Sequence, residues 1–201
     1  PYINPLLISM HFMSIDETDV GDKYLKGLGG KYLKEKAPIG ARDITTKKRL
    51  EENGIDAFFS GCMTLTLQKF ENVENNNKIF LVDATESIKE KVKKENTEYE
   101  IEEITHWTIP EEISQKSVEE RLKDVENLLK NYQGAHLVIT NRLHVALPCV
   151  ALGTPVILVH SEYYDEDRLG TFLKYMDNYT DSEFLNMDIK KLLKQPKSNN
   201  E

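Results

Sequence analysis

The feature that most constrains this chain is an alternation. Short apolar runs of strand length recur along it, each followed by a stretch whose apolar residues keep helical spacing. The predicted strands cover 6–11, 38–41, 57–60, 78–82, 99–104, 136–140 and 155–160. The predicted helices cover 22–35, 44–53, 87–94, 118–132, 143–152, 165–176 and 189–193. Strand alternating with helix predicts an α/β fold of parallel, Rossmann-like sheets covered on both faces.

Several boundaries have chemical causes. Asp43 is placed to cap the helix that begins at Ile44, and Asn53-Gly54 ends that helix with a residue tolerant of left-handed geometry. Ser117 followed by Glu120 forms a capping box for the helix over 118–132. Gly153 closes the helix before the strand at Pro155. The Asn-rich stretch 74–77 reads as a linker or surface turn, which sets the expected domains at 1–74 and 75–201.

Composition enters by exclusion. Of 201 residues, 39% are hydrophobic and 30% charged, a globular balance, and the formal net charge of -8 argues against a nucleic-acid or anionic-membrane surface. No apolar run is long enough to span a bilayer, and no secretory signal opens the chain. Cys62 and Cys149 read as buried free thiols in a reducing compartment, so a cytoplasmic location is expected. Neither their spacing nor any His/Cys/carboxylate grouping matches a metal site, and dinucleotide, Walker and serine-hydrolase signatures are missing. Neither a metal nor a cofactor is expected.

In an open parallel sheet, ligands bind beyond the carboxyl ends of the strands. The predicted strands end in polar residues: His11, then Arg42-Asp43, Gly61-Cys62, His106-Trp107, Asn141-Arg142-Leu143-His144 and His160-Ser161. Four of the five histidines fall at such ends, and His136 lies at an amino end. The turn at 140–144 is the sharpest element. Unpaired N–H groups and the positive end of a helix dipole make it an anion site. Arg142 adds a guanidinium able to grip a carboxylate or phosphate at two points, and His144 is a proton donor or acceptor near neutral pH. The bare triplet also fits an arginine paired with a nearby carboxylate and a satisfied helix histidine. Arg42 is either a second anion clamp or one half of a loop-tying pair with Asp43. Arg168 follows an acidic stretch and reads more readily as a solvated helix-start residue. Trp107 fits a sugar-stacking platform, although a lone Trp is more often core.

Taken together, residues 138–144, 151–157, 38–43, 54–55, 60–67 and the Asp167-Arg168 pair resemble the polysaccharide pyruvyl transferase family, in its order and spacing over most of 5–176. The resemblance implies two Rossmann-like domains facing across a cleft, as in the GT-B glycosyltransferase architecture. It implies transfer of the enolpyruvyl carbons of phosphoenolpyruvate to two hydroxyls of one sugar, giving a cyclic pyruvate ketal and phosphate. The partners implied are that donor and a sugar, oligosaccharide or lipid-linked glycan acceptor. The family's Arg-Leu-His contact with the donor maps onto Arg142, Leu143 and His144, and its further arginine onto Arg42. Of these, Arg142 and His144 are the expected catalytic pair. Arg42, Asn141, Leu143, His106, His160, Arg168 and His11 are the expected substrate contacts.

The family's opening Gly-Asp loop has no counterpart, since Gly21-Asp22 lies in another context, so the N-terminal domain is expected to be incomplete. Two other functions fit the same residues: a GT-B-like glycosyltransferase using a nucleotide sugar, and a non-catalytic paralogue that binds sugar or anion.

Overall fold

A computed structural model describes residues 3–12, 20–107, 114–163 and 166–199. The chain is α/β with parallel sheets and divides into two compact units. The first comprises residues 1–66 and 165–171, the second 67–164 and 172–201.

In the first unit, helices α1 (Val20–Leu25) and α2 (Gly27–Lys36) precede β1 (Ile39–Ala41), α3 (Ile44–Glu52) and β2 (Ala57–Phe59). Helix α7 (Glu166–Leu169) returns to this unit from the far end of the sequence. Strands β1 and β2 pair in parallel, with Gly40 opposite Phe58. Leu25, Leu33, Ile39, Leu50 and Ile55 form the core. Two predictions change here. The stretch 6–11 is not a continuous strand, because Ser9 takes a left-handed φ of 55° and leaves a single parallel bridge from Met10 to Ala41. The stretch 22–35 is two helices, broken where Gly27 adopts φ 57°.

The second unit holds a five-stranded parallel sheet, ordered β4-β3-β5-β6-β7. Its strands are β3 (Lys78–Val82), β4 (Glu100–Ile104), β5 (Leu137–Thr140), β6 (Val156–His160) and β7 (Asp177–Thr180). Helices α4 (Glu86–Glu95), α5 (Val118–Gln133), α6 (Leu143–Leu152), α8 (Asp181–Asn186) and α9 (Lys190–Lys194) belong with it. Strands β5 and β6 are buried at every position, as apolar runs in the middle of a parallel sheet must be. β4 instead presents Glu100, Glu102 and Glu103 at the sheet edge, where they pair with Lys78, Lys89 and Lys93.

The Ser117 capping box forms as the sequence predicts, and Gly153 ends α6 at φ 76°. Residues 67–77 lie with the second unit, so the compact units divide at 66/67 rather than in the Asn-rich stretch. The physical reason is a set of ties to the end of α5: Phe70 N donates to Gln133 Oε1 and Asn76 N to Gly134 O, both at 2.8 Å. The predicted helix over 165–176 is shorter, reduced to α7 and a 3₁₀ turn at Leu173–Tyr175 with Gly170 between them. The sequence predicts neither β7 nor α8: the strand DNYT carries too few apolar residues to announce itself, and α8 opens on a capping box of Thr180 with Glu183.

Gly134 shows how closely the ties to α5 are packed. A Cβ there would lie 2.4 Å from the Glu74 carbonyl oxygen. Gly134→Ala is therefore expected to cost on the order of 1–3 kcal/mol, since a backbone atom must move. Urea denaturation of the two proteins measures it, and equal midpoints would show that residues 74–76 yield freely.

Candidate functional site

Among the described residues, each unit holds a cluster of charged side chains just past a strand's carboxyl end. In the second unit the cluster starts from Asp83, the residue after β3. Asp83 has a left-handed φ of 50°, a conformation aspartate tolerates better than most residues, and its N–H donates to Ile104 O at 3.0 Å. Its carboxylate accepts Thr105 Oγ1–H at 2.7 Å and the His106 N–H at 3.1 Å, and pairs closely with Arg142 Nε. Burial works against this carboxylate, but those hydrogen bonds outweigh it and hold its pKa below the ordinary value.

Arg142 is thereby fixed at one end of its guanidinium. Its N–H donates to Thr140 Oγ1 at 3.0 Å, and the Trp107 ring lies 5.0 Å from its central carbon. Among the described residues nothing hydrogen-bonds its terminal amino groups. Arg142 also occupies the N-cap of α6, and its side chain makes no cap hydrogen bond to that helix. A guanidinium and a helix N-terminus are both groups that attract anions.

The other expected residues of this unit sort by burial. Asn141 and His144 are exposed, whereas Leu143 is buried to 2% and its side chain belongs to the core, leaving only its backbone to face a ligand. His160 is buried, with Nδ1 3.0 Å from Ser161 O. His106 shares a 2.8 Å hydrogen bond between Nε2 and the Tyr132 hydroxyl. Burial pushes the His106 pKa down, and Arg142 adds to this against the pull of Asp83, so the ring is neutral near pH 7. Burial likewise pushes the Tyr132 hydroxyl up and keeps its proton on. Trp107 is not core but 79% exposed. Asp83 and Tyr132 went unnoticed in the sequence. Asp83 satisfies the same strand-end rule that picked out the others, while Tyr132 carried no signal, being one more residue on a helix face.

The first unit builds the second cluster around Asp43, which is fully buried. As N-cap of α3 it accepts Thr46 N–H at Oδ1, 2.8 Å away. His11 Nδ1 lies 2.7 Å from Oδ2, and Arg42 Nε lies 3.5 Å from the same oxygen without forming a hydrogen bond. Burial again opposes the carboxylate, and the bonds from His11 and Thr46 again win, so its pKa is lowered. His11 reaches this place because Arg42 N donates to Met10 O at 2.8 Å, beside the single bridge of that segment. Arg168 is exposed on α7.

No three His, Cys, Asp or Glu side chains among the described residues group as a metal site, and no helix among them is long and apolar enough to cross a membrane. Comparison with protein families gives a match to the polysaccharide pyruvyl transferase model over residues 19–163. That span includes Arg42, Asp43, Asp83, His106, Arg142, His144 and His160, and excludes His11 and Arg168. No curated protein matches the chain.

The lowered pKa of Asp43 has a defined stability consequence. A carboxylate whose folded pKa lies below its unfolded one contributes stability above the unfolded value and loses it as pH falls through the folded one. Asp43→Asn removes that contribution, so the variant should lose less stability than the wild type between about pH 5 and pH 2. Denaturation midpoints across that range decide it, and parallel acid limbs would contradict the assignment.

Proposed function

Because the chain belongs to the polysaccharide pyruvyl transferase family, we propose that it transfers pyruvate from phosphoenolpyruvate to two hydroxyls of one sugar residue, acting in the cytoplasm. The product is a cyclic ketal and the leaving group is phosphate. The acceptor is a sugar, an oligosaccharide or a lipid-linked glycan, and no cofactor takes part.

The observation that carries this reading is the state of Arg142. Asp83 holds its Nε and Trp107 lies over its face, while its terminal groups stay unbonded among the described residues, at the open end of α6. A guanidinium held this way is pre-oriented for a planar oxyanion, with little ordering left to do on binding. Phosphoenolpyruvate carries two anionic groups, and Arg42 is the second arginine assigned to it. As C2 of the donor becomes cationic and the phosphate leaves, both arginines stabilise developing negative charge. Ketal formation also needs protons moved: one onto the methylene carbon, and one from each attacking hydroxyl. His144, in the first turn of α6, is assigned one of these transfers. Asn141, His106 and His160 share its edge of the sheet and are assigned to substrate positioning, as are Arg168 and His11.

Trp107 is the only tryptophan in the chain and lies over Arg142, so its fluorescence reports on that site. Phosphoenolpyruvate is expected to change the emission and raise the melting temperature, and nucleotide sugars to do neither. A response to nucleotide sugars alone would replace this reading with a glycosyltransferase.

Arg142→Lys should lose activity by about 100-fold, because an ammonium cannot reproduce a two-point contact. Wild-type turnover in that variant would remove the two-point role. His144→Ala should lower turnover more than donor affinity, and the opposite pattern would make His144 a binding residue.

A further inference from the structure

Four buried side-chain polar atoms lack a hydrogen-bond partner among the described residues, and three belong to the Asp43 cluster: His11 Nε2, Arg42 Nε and Arg42 Nη2. Buried polar groups are normally satisfied, each orphan costing about 1–3 kcal/mol, so three in one cluster require a cause. Arg42 is 8% exposed and Asp43 0%. Asp43 faces both a guanidinium and an imidazole, and the unpartnered Arg42 Nε and Nη2 leave the guanidinium with donors to spare for a second anion. Guanidinium N–H groups of this kind are the donors that a phosphate monoester takes.

His11 is arranged differently from His144. The Asp43 carboxylate accepts from Nδ1, with Thr46 Oγ1 3.4 Å from the same nitrogen, which fixes the ring and leaves Nε2 as its reactive atom. His144 is exposed, and nothing among the described residues orients its ring. A ring held through one nitrogen by a buried carboxylate, with the other nitrogen vacant, is the general arrangement of an acid–base histidine. Its second nitrogen is buried and unpartnered among the described residues, a cost that packing alone leaves uncompensated.

We infer that His11, oriented by Asp43, moves a proton between the acceptor hydroxyl and the phosphate held by Arg42. This rests on the pyruvyl transfer proposed above, and His11 lies outside the residues matched to the family. In the step concerned, the pyruvyl C2 already carries one sugar oxygen and still carries the phosphate ester oxygen. The second hydroxyl oxygen forms its bond to C2 and its O–H bond breaks, the proton passing to His11 Nε2. The bond from C2 to the ester oxygen breaks and its electron pair leaves with the phosphate. Nε2 then gives the proton to that phosphate, which departs as hydrogen phosphate, and His11 returns to its starting state. Asp43 is a positioning residue, while Arg42 neutralises the leaving group.

The test has two arms on the full chain. In the first, His11→Gln is compared with wild type for phosphate released from phosphoenolpyruvate with sugar acceptors, and for the melting-temperature rise that phosphoenolpyruvate causes. The expected result is a loss of about 100-fold or more in phosphate release with the melting-temperature rise retained. Release within about threefold of wild type would overturn the inference, because a proton-transfer group contributes more than that. The second arm needs no variant to fold and no acceptor. Long-range proton–nitrogen spectra of the wild-type imidazoles should show His11 Nδ1 protonated, and Nε2 should shift when phosphoenolpyruvate is added. An Nε2 signal unmoved while phosphoenolpyruvate still raises the melting temperature would sink the role of His11 and leave the proposed function standing. No rise in the wild type would reject the function, and this inference with it.

Discussion

Parallel pairing of β3 with both β4 and β5 sets Val82 opposite Ile104 on one side and Thr140 on the other. Three strands therefore end level, and whatever follows them in sequence emerges at one edge. Asp83, Thr105-His106-Trp107 and Asn141-Arg142 are those followers. An antiparallel arrangement would have sent half of them to the opposite edge. The Asp83 network consequently depends on strand direction before it depends on any side chain. Thr140 shows the coupling directly: its hydroxyl donates to Val82 O at 2.9 Å and accepts the Arg142 N–H, linking the sheet to Arg142.

Both units then use the same electrostatic device. A buried or nearly buried aspartate follows a strand, gathers backbone and side-chain donors, and faces one arginine and one histidine segment. Asp83 does this for Arg142 and the His106 N–H, and Asp43 for Arg42 and the His11 ring. Neither carboxylate would stay ionised at that depth without its donors. The difference lies in what remains unsatisfied. Around Asp83 the vacant groups are the terminal nitrogens of a partly exposed arginine, whereas around Asp43 they are buried atoms of both partners. The two roles proposed above follow that difference: anion binding from solvent for the first arrangement, and proton transfer away from water for the second.

Much of this was legible beforehand for identifiable reasons. Strands β3, β5 and β6 are continuous apolar runs, and the helices with strong start signals, α3 and α5, begin where Asp43 and Ser117 cap them. The stretch 6–11 misled because its apolar content fits a strand while the backbone at Ser9 does not. Trp107 reads two ways, as stacking platform or as core, since apolar size alone cannot tell a core residue from one lying over a guanidinium at the surface. Leu143 shows how a motif residue expected to contact a ligand can instead turn its side chain into the core.

The sequence by itself determined the α/β class, the parallel sheets, the family, and the segments that carry polar residues past strand ends. Those are properties of period, caps and local order, which neighbouring residues set among themselves. Only the tertiary structure decided which polar residues meet. Asp83 and Arg142 stand 59 positions apart, and His11 and Asp43 stand 32 apart. No local signal spans such distances. What brings each pair together is strand pairing: β3 against β5 in one case, and the Met10 segment against β1 in the other. Whether an arginine is spent on a neighbour or keeps nitrogens free for a ligand is settled by that pairing and the burial that comes with it.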